Sequence, residues 1–160
     1  MASKNKNLSV WLWALWPIGS ALITLLMLMI DFEAGILIGP VYQITLVGVL
    51  VVAAGIFITG YAAYRFAKSG VGFLKAVLIG NALPLICMAI FTVLVLTGSG
   101  ESDLAVVIGS LGTGIFQILS SYFTTLIGKT LSYYEVYIAF VALVASFSVG
   151  YAIGFSKSKK

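Results

Sequence analysis

VYQITLVGVLVVAAGIFITGYAAYRF, residues 41–66, runs for 26 residues with no charge before Arg65. A helix rising 1.5 Å per residue needs about 20 apolar residues to cross the roughly 30 Å hydrocarbon core of a bilayer. This stretch is long enough. Four more of the same kind flank it, at 11–30, 71–96, 104–128 and 136–155. The connectors between them, 31–40, 67–70, 97–103 and 129–135, are too short to hold a further domain. Each run is continuous, unlike the roughly ten-residue alternating segments of a membrane barrel. The sequence therefore predicts an all-α integral membrane protein, one domain over residues 1–160, built as a bundle of five transmembrane helices.

Composition agrees. The chain is 61% hydrophobic and 9% charged, against about 25% charged in soluble domains, and its mean hydropathy is +1.14. It has no His, one Cys and five acids. Imidazole bases, His-ligated metals, Cys–His dyads and intrachain disulfides are excluded on that count. A Ser nucleophile would need Lys as its base, and neither Lys75 nor Lys129 adjoins a Ser motif. Cys87 lies mid-helix, where a thiol behaves as a small buried hydrophobe. No acid falls in the centre of any span, and the third helix reads Leu85-Ile86-Cys87-Met88 near its middle. No catalytic, cofactor or metal residue is expected, and no nucleic-acid partner.

The 20-residue run 11–30 is longer than the apolar core of a signal peptide, and no small-x-small cleavage site follows it. It reads as a retained helix, with Trp11, Trp13 and Trp16 as an indole belt at the headgroup level. With the N-terminus cytoplasmic and five crossings, Lys4, Lys6, Arg65, Lys68, Lys75 and Lys129 lie inside and Lys157, Lys159 and Lys160 outside. That six-to-three ratio obeys the positive-inside rule, and the cell membrane is the expected location if the source is prokaryotic. The basic tail is the misfit. A re-entrant fourth segment, leaving four full spans, would bring the tail inside and leave only Lys129 outside. Glu135 is expected at the inner boundary of the last helix, near Lys129, while Asp31, Glu33, Glu101 and Asp103 fall on outer loops. Arg65, Lys68 and Lys75 snorkel to headgroups.

Lipid gives no hydrophobic drive between helices, so small residues mark the faces where backbones approach. Gly55, Thr59 and Ala63 form one such series. Ala142, Ser146, Gly150 and Gly154 form a longer one, a helix-packing stripe over three turns. The fourth helix carries a polar face instead: Ser110, Gly114, Gln117, Ser121, Thr124 and Gly128 recur at spacings of three and four. Interhelical hydrogen bonding explains such a face, and the lining of a solute path is its alternative. Pro84 lacks the N–H that the Gly80 carbonyl would accept, so the third helix is expected to kink there, with the Asn81 amide within a turn of the break.

Chemistry that is absent and packing that is prominent point first to a non-catalytic membrane protein acting through helix–helix contacts. It would be an accessory subunit of a membrane complex, a homo-oligomer, or a small self-associating or immunity-type protein. The alternative is a small transporter or channel, its path lined by the fourth helix and the Asn81–Pro84 break.

Overall fold

The computed structural model describes residues 12–13, 15–23, 26, 46–100, 102–127 and 134–158. Among them there is helix and turn but no strand. After a helical stretch at 16–23 come α1 (Leu46–Lys68), α2 (Phe73–Gly80), α3 (Ala82–Leu96), α4 (Asp103–Thr113), α5 (Phe116–Ile127) and α6 (Tyr134–Ser158). The connector 31–40, Trp11, Gly128 and Lys129 lie outside the described residues.

α1 and α6 are each long and apolar enough to cross a membrane, and α2 with α3, bent by 71°, make a third if counted as one broken span. The exterior fits that solvent. Phe57, Leu74, Val141 and Leu126 are all more than three-fifths exposed, an apolar surface that a protein in water would rarely carry. Membrane location is the plausible reading of such a chain. Inside, Phe66 and Phe147 anchor one end of the bundle and Phe91 the other.

The α1–α6 interface sets the direction of everything else. A Cβ on Gly150 would fall onto the carbonyl oxygen of Gly60, and one on Gly154 would lie 2.7 Å from the Tyr64 carbonyl oxygen. Further along, Lys68 Nζ donates to the Lys157 carbonyl at 2.9 Å. The partners rise together along both helices, so α1 and α6 are parallel. Five consecutive crossings would make the second and fifth segments antiparallel. The structure departs from the five-crossing expectation at this point.

The difference arises in α4 and α5. α3 runs beside the N-terminal half of α6, where Phe91 packs on Tyr137 at 5.5 Å and the Tyr137 hydroxyl donates to Thr92 Oγ1 at 3.2 Å. α4 starts from that same end, with Ser102 Oγ capping the Ala105 N–H and Gly109 facing Val136 and Phe91. It stops at Gly114. Ile115 then touches Gly55, while Ile118 and Tyr122 pack with Val52, back toward the start of α1. The seven peptide units from Ile127 to Tyr134 reach at most about 25 Å. α6 takes about 35 Å to go from Tyr134 to Lys157. The α4–α5 pair thus enters and leaves the bundle at one end. Glu135, expected at the inner boundary of the last helix near Lys129, lies in the first turn of α6; Lys129 is outside the described residues.

Candidate functional site

Two helix breaks meet in the middle of the bundle. The first falls at Asn81, between α2 and α3, with φ −126° and ψ 26°. Its backbone N–H and its side-chain Nδ2 both donate to the Val77 carbonyl, at 2.9 and 3.1 Å, closing off the end of α2. The Leu85 N–H restarts the ladder on the Asn81 carbonyl at 2.9 Å. Pro84 brings no N–H to the Gly80 carbonyl, so that oxygen loses its helical partner. A proline kink was expected here, and the observed bend of 71° is a full change of helix direction.

The second break is one that residue spacing did not disclose. Gly114 has φ 58° and ψ −136°, a conformation open in practice only to glycine. Its N–H ends α4 on the Ser110 carbonyl at 2.7 Å, and its carbonyl receives the Gln117 N–H at 3.0 Å to begin α5. Thr113 Oγ1 spans the break: it donates to the Gly109 carbonyl at 2.9 Å and stands 3.2 Å from the Gln117 amide. A hydroxyl has one hydrogen, so it serves either the Gly109 carbonyl or Gln117 Oε1 at a time.

Between the breaks lies a cavity of about 10 Å³, bounded by Trp16, Ser20, Thr59, Asn81, Thr113 and Phe147 among others. That is room for about one water molecule. Asn81, Thr113, Thr59 and Ser20 are all buried. Trp16 donates its indole N–H to Thr59 Oγ1 at 3.0 Å, and Trp13 meets the Tyr61 ring edge-on at 5.1 Å. These two indoles are turned onto α1. Among the described residues, no charged side chain lines the cavity and no three His, Cys, Asp or Glu side chains cluster as metal ligands.

Of the polar residues singled out in the sequence, Asn81, Pro84 and Gly114 come together at this cavity. Ser110, Gln117, Ser121 and Thr124 do not line it. The break at Gly114 splits their shared face in two, so the continuous polar stripe is corrected to two short runs. On α5, Ser121 Oγ donates to the Gln117 carbonyl at 3.1 Å and Thr124 Oγ1 to the Ser121 carbonyl at 2.9 Å. Ser20, Thr59, Thr113 and Trp16 belong to the cavity and were missed as site residues. Two glycines around Thr113, inside an apolar run, were the available signal.

The small-residue stripe of the last helix divides. Gly150 and Gly154 seat α6 on α1 within one chain. Ala142 packs beside Phe116, Ala139 and Leu143, and Ser146 Oγ donates to the Ala142 carbonyl at 2.8 Å. On the outer face of the same helix pair, Phe57, Tyr61, Tyr64, Val149 and Ile153 line an open groove of about 640 Å³. No known family model, curated protein or solved structure matches this chain.

Proposed function

We propose that the chain is a small membrane transporter or channel with four crossings and a re-entrant α4–α5 hairpin, its path running through the meeting of the two helix breaks. One observation carries the reading: two interrupted helices converge on a buried polar cavity in the interior of an otherwise apolar bundle. Non-helical backbone at membrane depth is tolerated where protein buries it or water lines it, and paired half-helices of this kind form binding sites in transporters. The small-residue stripe that favoured self-association is partly consumed inside the chain by the Gly60–Gly150 contact. A homo-oligomer is therefore not needed to account for it.

Charge supports the topology. With a re-entrant hairpin, Lys4, Lys6, Arg65, Lys68, Lys75, Lys157, Lys159 and Lys160 flank one face of the membrane and only Lys129 the other. All five acids fall on the Lys129 side. The basic tail ceases to be a misfit, and the rich end is cytoplasmic. Cysteines introduced at Ser69 and Ser158 are expected to react with an impermeant reagent from the cytoplasmic side, and one at Ser99 from outside. Labelling of Ser69 and Ser158 from opposite sides would restore five crossings.

The transport reading is tested in proteoliposomes. Solute-dependent flux is expected from the full chain and is lost when the Asn81–Gly114 region is blocked by bulk. Absence of flux, with a stoichiometric membrane partner at purification, would favour the accessory-subunit reading. The observation behind that second reading is the open groove between α1 and α6, which a partner helix fits.

A further inference from the structure

We propose that the groove between α1 and α6 holds one acyl chain of an anionic phospholipid, with the lipid phosphate at Arg65, Lys68 and Lys157. The site stands apart from the proposed path and requires only that these two helices lie in a bilayer.

The groove follows from where large and small side chains fall. Gly60, Ser146 and Gly150 make its floor, where the two backbones come together. Phe57, Tyr61 and Tyr64 stand along the α1 wall about one turn apart, their rings stacked at 6.3 and 6.1 Å. Val149 and Ile153 form the α6 wall. The space of about 640 Å³ falls within the roughly 300–1,000 Å³ of ligand pockets. It opens outward, where Phe57, Val149 and Ile153 are exposed. In a bilayer the surroundings at that level are hydrocarbon, so a lipid chain is the material at hand to fill it.

Charge selects the kind of lipid. Lys157 lines the groove. Lys68 is tied to the same place, since its Nζ donates to the Lys157 carbonyl at 2.9 Å. Arg65 follows Tyr61 by one turn, its guanidinium 6.0 Å from the centre of that ring and its Nη1 3.3 Å from the hydroxyl. All three cations stand in the last turns of α1 and α6, the level from which basic side chains reach headgroups. Among the described residues the acids are Asp103 and Glu135, which open α4 and α6 at the other end of the bundle. Basic pockets between membrane helices take anionic headgroups. An apolar channel with cations at one mouth matches an amphiphile with a charged head and a hydrocarbon tail. A second copy of the chain fits less well. Inserted in the same orientation, it would set its own Arg65, Lys68 and Lys157 against these, and like charges repel.

The test uses the full chain in a neutral detergent, stripped of phospholipid. It is unfolded thermally with phosphatidylglycerol, with phosphatidylcholine of the same acyl chains, or with inorganic phosphate. Phosphatidylglycerol is expected to raise the midpoint by about 5 °C at saturation, phosphatidylcholine by less than half of that, and phosphate not at all. The double variant Arg65→Gln, Lys157→Gln should lose most of the shift. Ala145→Phe, which fills the groove from an exposed position, should abolish it. Lys75→Gln removes a cation near the start of α2 that does not line the groove, and should keep it. Equal shifts from the two lipids, or an equal shift from phosphate, would overturn the proposal. So would a loss in Lys75→Gln as large as in the double variant, which would mark diffuse attraction to a basic surface. Absence of any lipid shift would overturn it as well, and a particle mass that falls in Ala145→Phe would then give the groove to a partner helix. Flux is a separate readout, so the lipid site and the path fail independently.

Discussion

Replacing Gly150 with Leu is expected to destabilise the protein by about 3 kcal/mol, the upper end of what overpacking usually costs. The reason is what the new side chain meets. Its Cβ falls onto the backbone carbonyl of Gly60, and a carbonyl inside a helix cannot rotate out of the way as a flexible side chain would. α1 and α6 must separate. That separation also loosens Gly154 from Tyr64 and the Lys68–Lys157 bond further along. Val149→Leu is the control, because Val149 is 61% exposed and a larger apolar side chain there meets only the surroundings. It should change stability by less than about 0.5 kcal/mol. Thermal unfolding in detergent reads both. If the two variants unfold with the parent, the parallel α1–α6 contact is not what holds the bundle.

What the sequence discloses and what it hides divide along a physical line. Run length and composition report the solvent, because a helix that is apolar all round has only lipid to face. Asn81 and Pro84 are legible because a missing N–H disrupts a helix whatever surrounds it. Gly114 is different. A lone glycine in an apolar run is ordinary in membrane helices, and the neighbour that a side chain there would meet, Ser20, is far away in sequence. Periodicity arguments assume an unbroken helix, so the face joining Ser110 to Thr124 dissolves once Gly114 turns the chain. Direction is hidden for a related reason. Five apolar runs imply five crossings only if each runs from one face to the other, and hydropathy is blind to a segment that turns back. The trace in the sequence is electrostatic: under the proposed re-entrant hairpin, Lys157, Lys159 and Lys160 join the other basic residues on one face. Trp16 shows the limit of a class rule. Indoles favour the headgroup level, yet this one finds a hydroxyl acceptor at Thr59 inside the bundle.

Gly114→Ala is expected to disable the site while leaving most of the helices in place. Two costs coincide there. An alanine at φ 58° and ψ −136° occupies a region that L side chains avoid, worth about 1–3 kcal/mol of strain. Its Cβ would also fall onto the Ser20 hydroxyl oxygen, so either Ser20 or the tip of the α4–α5 hairpin must shift. The shift moves Thr113 away from Asn81 and spoils a cavity that has no slack at about 10 Å³. Gly98→Ala separates these effects. Gly98 also has positive φ, 79°, but a Cβ there meets nothing within 4 Å. It should therefore pay backbone strain alone, about 1–2 kcal/mol, with transport intact. Proteoliposome flux and thermal midpoints, measured on both variants, decide the matter. Loss of flux in Gly114→Ala with flux preserved in Gly98→Ala ties function to the hairpin tip. Full flux in both would mean that the second break is a packing feature, and the path would have to be sought elsewhere in the bundle.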